Sequence, residues 1–417
     1  MSEAHAGFPG AAGDLVEQGQ EPPRYRVSDR PRLQIGSADG ADATLYGVTG
    51  AIRLRDGRVV VANAGARELK FFDSNGDFLA SAGRAGDGPG EFRGLSLIGA
   101  LEDGRIAAMD MLLGRVSVFS SDGAHDRTYR VSRGIQAAGR RIHMYGFLAN
   151  GTLVGLEEVE GEGVRERYGD YPGSVLTFRS PVVQPVLIDT AGQAVPFASA
   201  MPGDERLSQM ETGSGDGSLR VGGVAQVPVP LLKSATVAVR DGWVAIGHTS
   251  GSPATPGPPP ITVYDAQGKP RVVFALDVAS KEAVDAAGVR LAWVDEWISN
   301  LPDRRERRKW RPRYEEFLAA TAVSVPAFKS LALQEGGNVW LEVFDPSAGE
   351  NAPSRWRVQA AFDMKGIGDS GANTVVLPPG FRPHDIGSDY VLGVWRDELG
   401  IEFVRMYDLI EVSSDGS

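Results

Sequence analysis

Apolar runs in this chain repeatedly start at a two-residue turn and stop at a polar residue six positions beyond it. Asp56-Gly57 opens the run Arg58-Val59-Val60-Val61-Ala62, which ends on Asn63, and Asp103-Gly104 opens Arg105-Ile106-Ala107-Ala108-Met109, which ends on Asp110. Asn150-Gly151 leads through Leu153-Val154-Gly155-Leu156 to Glu157, and Asp241-Gly242 through Trp243-Val244-Ala245-Ile246-Gly247 to His248. Fainter copies start at Gly336-Gly337 and Ser388-Asp389, placing Val343, with Glu342 beside it, and Trp395 at the same point. Asp-Gly and Asn-Gly favour the positive φ angles of tight hairpin turns, and a β-branched run suits a buried strand.

Each phrase is followed by a second strand-like run that ends in its own turn. These partners are Phe71-Phe72-Asp73, Val118-Phe119-Ser120, Leu187-Ile188-Asp189, Val263-Tyr264-Asp265, Phe362-Asp363-Met364 and Met406-Tyr407-Asp408. Six phrases alternate with six partners, and the first three phrases are 47 residues apart. A repeat of roughly 40–50 residues matches one blade of a propeller. The pattern predicts an all-β chain: a six-bladed β-propeller of four-stranded antiparallel blades. Arg24–Ile35 alternates without a local partner, so it is expected to join the strand-like Ile401–Leu409 in the last blade and close the ring.

The intervals from the third to the fourth and from the fourth to the fifth phrase are longer, 91 and 95 residues, and read as insertions. The first contains the charged Glu157–Arg167 and a Gly-rich loop at Ser199–Ser218. The second contains the Pro-rich Ser252–Pro260 and a helical stretch, Ser280–Thr321. In that stretch Val284, Ala287, Leu291, Val294 and Ile298 recur near the helical period, with Trp293 and Trp297 one turn apart. A basic run, Arg304 to Arg313, follows. It reads as the solvated face of a packed helix, as a dock for an acidic or phosphate-bearing partner, or as a lid on the channel. Residues 1–23 read as a flexible leader, 24–411 as one propeller with its insert at 280–321, and 412–417 as a flexible tail.

Composition narrows the class. A hydrophobic content of 42% supports a real core, and 53 glycines suit a turn-rich fold. With 43 basic against 54 acidic residues, the net charge of −11 disfavours a nucleic-acid binder. No apolar run is long enough to span a membrane, and a monomer is expected. The absence of cysteine excludes disulfides and thiolate-held zinc.

Gly83-Arg84-Ala85-Gly86-Asp87-Gly88-Pro89-Gly90-Glu91-Phe92, after a Phe-Asp turn, resembles the signature of bacterial six-bladed propellers related to NHL repeats. Gly50–Gly57 and Val60–Asn63 match the same pattern. The resemblance implies the fold. It says little about activity, and it favours an extracytoplasmic location only because many relatives look exported. The Gly-rich segment itself reads as a tight crossing between blades; with no Gly-Lys-Ser/Thr after it, it is not a phosphate loop.

The residues six positions beyond the turns form the candidate site: Asn63, Asp110, Glu157, His248, Glu342 and Trp395. Repeat symmetry places them near one mouth of the channel, where convergent polar groups bind a small ligand. Each one also suits the role of a loop cap that bonds backbone amides. His143 and His384 read as structural histidines. The function expected is a non-catalytic binding or scaffold propeller that recognises a protein, glycan or small ligand through its channel-mouth loops and helical insert, with no cofactor. The alternative is a calcium-dependent lactonase or esterase-like hydrolase. Six-bladed propellers of that type hold calcium with Glu, Asn and Asp beside a histidine, a set that Glu157, Asn63, Asp110 and His248 partly resemble.

Overall fold

The computed structural model describes residues 25–36, 44–131, 141–171, 174–215, 218–227, 232, 234–249, 260–274, 286–300, 304–321, 326–345, 352–359 and 374–412. The leader, most of the Pro-rich segment, the Phe362 phrase and the tail after Val412 lie outside these residues.

The described strands form antiparallel sheets arranged as a propeller. The first sheet holds Val48–Arg53, Val59–Asn63, Glu68–Phe72 and Phe78–Ala82, and the second holds Leu95–Ala100, Ile106–Asp110, Arg115–Phe119 and His125–Arg130. The third starts with Ile142–Phe147, Leu153–Tyr171 and Ser174–Ile188. The fourth holds Ala235–Arg240, Trp243–His248, Ile261–Asp265 and Pro270–Phe274. The fifth holds Leu331–Leu333, Val339–Glu342, Ser354–Gln359 and Thr374–Leu377, and a last sheet holds Phe381–Ile386, Tyr390–Arg396 and Glu402–Glu411. Each sheet packs on the next, and the last packs on the first.

The phrases read in the sequence become the second strands. Val59–Asn63 and Ile106–Asp110 are buried along their whole length, so both faces of these strands pack between neighbouring sheets. Their turns differ from the expected two-residue form. Gly57, Gly104 and Gly151 take positive φ while the residue before each does not, and Gly57 N–H donates to Leu54 O at 2.9 Å. This is a longer turn ending on a left-handed glycine. Asp241-Gly242 has its first residue left-handed, at φ 51°, with Arg240 paired to Trp243 across it, and in Gly336-Gly337 both residues take positive φ.

Two inserted stretches are more ordered than their composition suggests. Glu157–Arg167 lies inside the 19-residue strand Leu153–Tyr171. The Gly-rich stretch contributes Arg206–Gly215, which pairs with Ser218–Val227 as a hairpin extending the third sheet. That sheet therefore has seven strands rather than four, with Ala194–Pro196 and Met201–Pro202 also attached.

The second insert forms α1 (Ala286–Ser299) and α2 (Arg304–Ala320). Val294, Ile298, Trp310, Tyr314 and Phe317 pack on Leu176, Phe178 and Leu207 of the extended third sheet. The buried face of α1 is rotated from the expected stripe: Arg290 is buried and Leu291 exposed, because stacked Trp293 and Trp297 turn toward α2. The basic run is helical. Trp310 and Arg313 turn inward, while Arg304, Arg305, Arg307, Arg308 and Arg311 stay exposed.

The N-terminal strands join the last sheet. Tyr25–Val27 pairs with Leu409–Glu411, and Leu33–Ile35 with Val404–Met406. Among the described residues no helix is long and apolar enough to cross a membrane.

Candidate functional site

The innermost strands line a central channel whose two ends differ in chemistry. One end carries the residues that close the second strands. Asn63 Oδ1 accepts Tyr46 N–H at 2.7 Å, and its Nδ2 donates to Glu68 at 2.9 Å. Asp110 Oδ2 accepts Arg93 and Gly94 N–H at 2.6 and 3.1 Å, and its Oδ1 accepts Leu113 N–H at 2.8 Å. Asn63 and Asp110 are 2% and 1% exposed, so their oxygens are spent on the loops that enter and leave each sheet.

The other expected residues diverge in role. Glu157 and His248 are buried, opposite Ile142 and Ala235 respectively. In the fourth sheet the loop contacts pass to neighbours instead: Thr249 Oγ1 accepts Ser234 N–H, and Asp204 accepts Ala235 N–H. Glu342 accepts Lys329 Nζ at 2.8 Å and Ser330 Oγ at 2.7 Å. Trp395 donates to Pro379 O, and the Arg405 guanidinium lies 3.4 Å above its ring centre. Among the described residues no three His, Asp or Glu side chains gather as a metal site. Glu402, which no phrase marked, does the same work between sheets by accepting Val48 N–H at 2.8 Å.

Replacing Asp110 with alanine leaves three amide donors without their acceptor. The expected loss is about 1–3 kcal/mol of stability, read by urea denaturation, with little change at the far end of the channel.

The opposite end, where the Asp-Gly turns cluster, holds a cavity of about 670 Å³. This volume falls within the range of small-molecule sites. None of the six expected residues lines it; Arg53, Arg55, Arg240, His384, Asp385 and Tyr390 do. Asp385 is the hub. Its carboxylate accepts Arg53 N–H at 2.8 Å and Tyr390 O–H at 2.9 Å, and it pairs with the Arg240 guanidinium. Arg53 stacks on the Tyr390 ring at 4.8 Å and reaches Asp389 at 3.6 Å. Burial pushes the Tyr390 phenol up while Arg240 pulls it down, so it remains a hydroxyl donor. Around this end the turns are stitched by backbone bonds, with Glu102 N–H to Ala149 O and Ala149 N–H to Asp241 O.

His384 reaches the cavity through a fault in the ladder. Pro383 pairs with Gly393 and Asp385 with Leu392, so His384 is the extra residue of a β-bulge. Bulges of this type re-aim a side chain. Thr49 and Tyr145, which also line the cavity, are bulged in the same way on other inner strands. Desolvation by the surrounding protein pushes the His384 imidazole down to about 4, with Arg382 acting in the same direction and Glu402 against it. Its accessible surface faces the channel, and water there moderates the penalty.

The sign follows directly. An imidazole that is neutral when folded but protonated when unfolded costs stability as pH falls from about 6.5 toward 4. His384→Gln should flatten that limb of the melting temperature against pH and leave the curve above pH 7 unchanged (about the range where both forms are neutral).

Neither a family model nor a curated protein matches the sequence. Among solved structures, the chain is similar to a member of the DUF4221 family from Bacteroides vulgatus, at 9% identity and a TM-score of 0.50, over 94% of this chain and 100% of that one. It also aligns with a gluconolactonase from Xanthomonas campestris (11% identity, TM-score 0.37, 96% and 98% covered). A calcium-binding protein, regucalcin, from Agrobacterium tumefaciens aligns at 8% identity and a TM-score of 0.37, over 89% and 93% of the two chains. The first likeness bears on the propeller fold. The other two carry no argument about this chain.

Proposed function

We propose that this chain is a ligand-binding propeller of six blades, related to NHL-repeat proteins, with its ligand seated at the turn-side end of the channel. The carrying observation is the 670 Å³ cavity lined by a titratable histidine on a bulge and by the Arg53, Arg240, Asp385 and Tyr390 network. A few converging polar groups in a concave site are what small-ligand recognition requires. Asn63 and Asp110 then serve as loop holders, and Glu157, His248, Glu342 and Trp395 belong to the same structural end. No resident metal is needed in this reading, because the Asn63 and Asp110 oxygens that would help ligate calcium already accept loop amides. The exposed arginines of α2 remain a surface for a larger partner, and export of the protein fits the reading.

The test is a thermal-shift screen of small polar metabolites and short sugars, run with and without chelator. A hit should raise the melting temperature of the parent and of Trp395→Ala, and lose most of its effect in His384→Ala. Chelator should leave the melt unchanged. A hit that survives in His384→Ala and vanishes in Trp395→Ala would move the site to the other mouth. A clear drop with chelator would favour the calcium hydrolase.

A further inference from the structure

Resting on the reading that a small molecule occupies the turn-side cavity, we infer that this molecule is a small organic acid whose carboxylate is held by Arg53, Arg55 and Arg240. The three guanidinium groups come from the first and fourth sheets and line one cavity. The carboxylates beside them are largely committed. Asp385 serves Arg53, Tyr390 and Arg240; Asp389 serves Arg32 and Arg53; Asp56 is bound by Arg58.

The donors are less fully used than the acceptors. The Nε atoms of Arg53 and Arg240 are buried and have no hydrogen-bond partner among the described residues. Arg55 is exposed and makes a long bond, 3.4 Å, to the carbonyl of Glu102. A guanidinium offers its donors as a planar fork that matches a carboxylate.

Asp241 shows how that carboxylate would sit. Its Oδ2 lies 3.4 Å from Arg240 Nε, close enough to pair in charge but without hydrogen-bond geometry. The Asp241 side chain is 58% exposed, on a left-handed turn residue at the rim, and is free to swing outward. A ligand carboxylate entering the cavity takes its place at Arg240 and reaches Arg55. Asp241 is thus a weak internal competitor for the ligand. The exposed Glu102 and Glu335 at the rim disfavour large polyanions and select for a small, singly anchored acid.

Calorimetric titration of the full chain with succinate and glucuronate, against succinamide and glucose as neutral counterparts, tests this. Acids should bind at least tenfold more tightly than their neutral counterparts, in a salt-dependent way. Arg55→Gln, an exposed change that spares the Asp385 network, should weaken the acid by about tenfold, the scale of one charge-assisted hydrogen bond. Asp241→Asn should tighten it. Equal binding of glucose and glucuronate, or an affinity indifferent to Arg55→Gln and Asp241→Asn, overturns the inference. So does a panel in which no acid binds. In each of those cases the cavity reading stands or falls separately, on the His384→Ala library screen.

Discussion

A chain that starts at residue 37 should lose its cooperative melt and aggregate, because the ring would open at its seam. Leu33–Ile35 pairs with Val404–Met406, and Tyr25–Val27 covers Leu409–Glu411 beyond it. Leu33 and Ile35 are buried in a cluster that joins Val404 and Met406 of the last sheet to Val59, Val61 and Phe72 of the first. Tyr25 stacks on Trp340 of the fifth sheet, with ring centres 6.3 Å apart. One short segment therefore ties three sheets together. Burial of Leu33 and Ile35 alone is worth about 3–6 kcal/mol, at roughly 1.5–3 kcal/mol for each side chain. Removal also bares the edge of Glu402–Glu411, which invites pairing with another chain. Since the net stability of a folded protein is about 5–15 kcal/mol, the truncated chain has little margin. Size-exclusion and a circular-dichroism melt decide it. Ile35→Ala is the milder control, with an expected cost of about 2–5 kcal/mol in a fold that survives. A truncated chain that stays monomeric and melts within a few degrees of the parent would mean that the seam is not what holds the ring.

That seam was legible in the sequence, since the alternation in Arg24–Ile35 had no local partner and the strand-like Ile401–Leu409 closes the chain. The second strands were legible for the same reason: Val59-Val60-Val61 and Ile106-Ala107-Ala108 are apolar on both faces, as their burial between sheets requires. The extended third sheet was not. Glu157–Arg167 did not read as a strand because its start buries charge instead of apolar surface: Glu158 is held between Arg179 and Arg206 of the same sheet. The rotated face of α1 was missed because Arg290 outranked Leu291 for burial, its guanidinium near Phe317 and bonded to Thr321.

The cavity was hidden for a different reason. Its chemistry sits on the first strands of the sheets and the turns that follow them, whereas the repeat advertises the ends of the second strands. A polar residue recurring at one point of a repeat turned out, at Asn63 and Asp110, to hold loops in place. Arg53, Arg240 and Asp385 recur nowhere and come together only through ring geometry. The one signal available was Pro383-His384-Asp385 inside a strand-like run, since proline within a strand marks an edge or a bulge, and bulges gather at functional rims.

Asp385→Ala should be the most damaging single substitution in the channel. Asp385 is 5% exposed, and the change strips the Arg53 amide, the Tyr390 hydroxyl and the Arg240 guanidinium of their shared acceptor. Breaking a buried ion pair from one side costs about 3–5 kcal/mol, chiefly because the surviving charge is left without compensation. Asp385→Asn keeps an acceptor for the amide and hydroxyl and should fall between the two. The pair Arg240→Met with Asp385→Leu should recover much of the loss, since removing both charges removes the desolvation penalty as well. Urea denaturation of the parent, Arg240→Met, Asp385→Leu and the double variant gives the coupling as a double-mutant cycle. A loss below about 1 kcal/mol for Asp385→Ala would reduce the pair to a solvated contact. The geometry argues against so small a value. Arg240 belongs to the fourth sheet and Asp385 to the last, so their bond passes over the fifth sheet instead of joining ring neighbours. It ties two non-adjacent sheets together at the level of the cavity, and the same groups that hold this end of the ring also line the site where a ligand would sit.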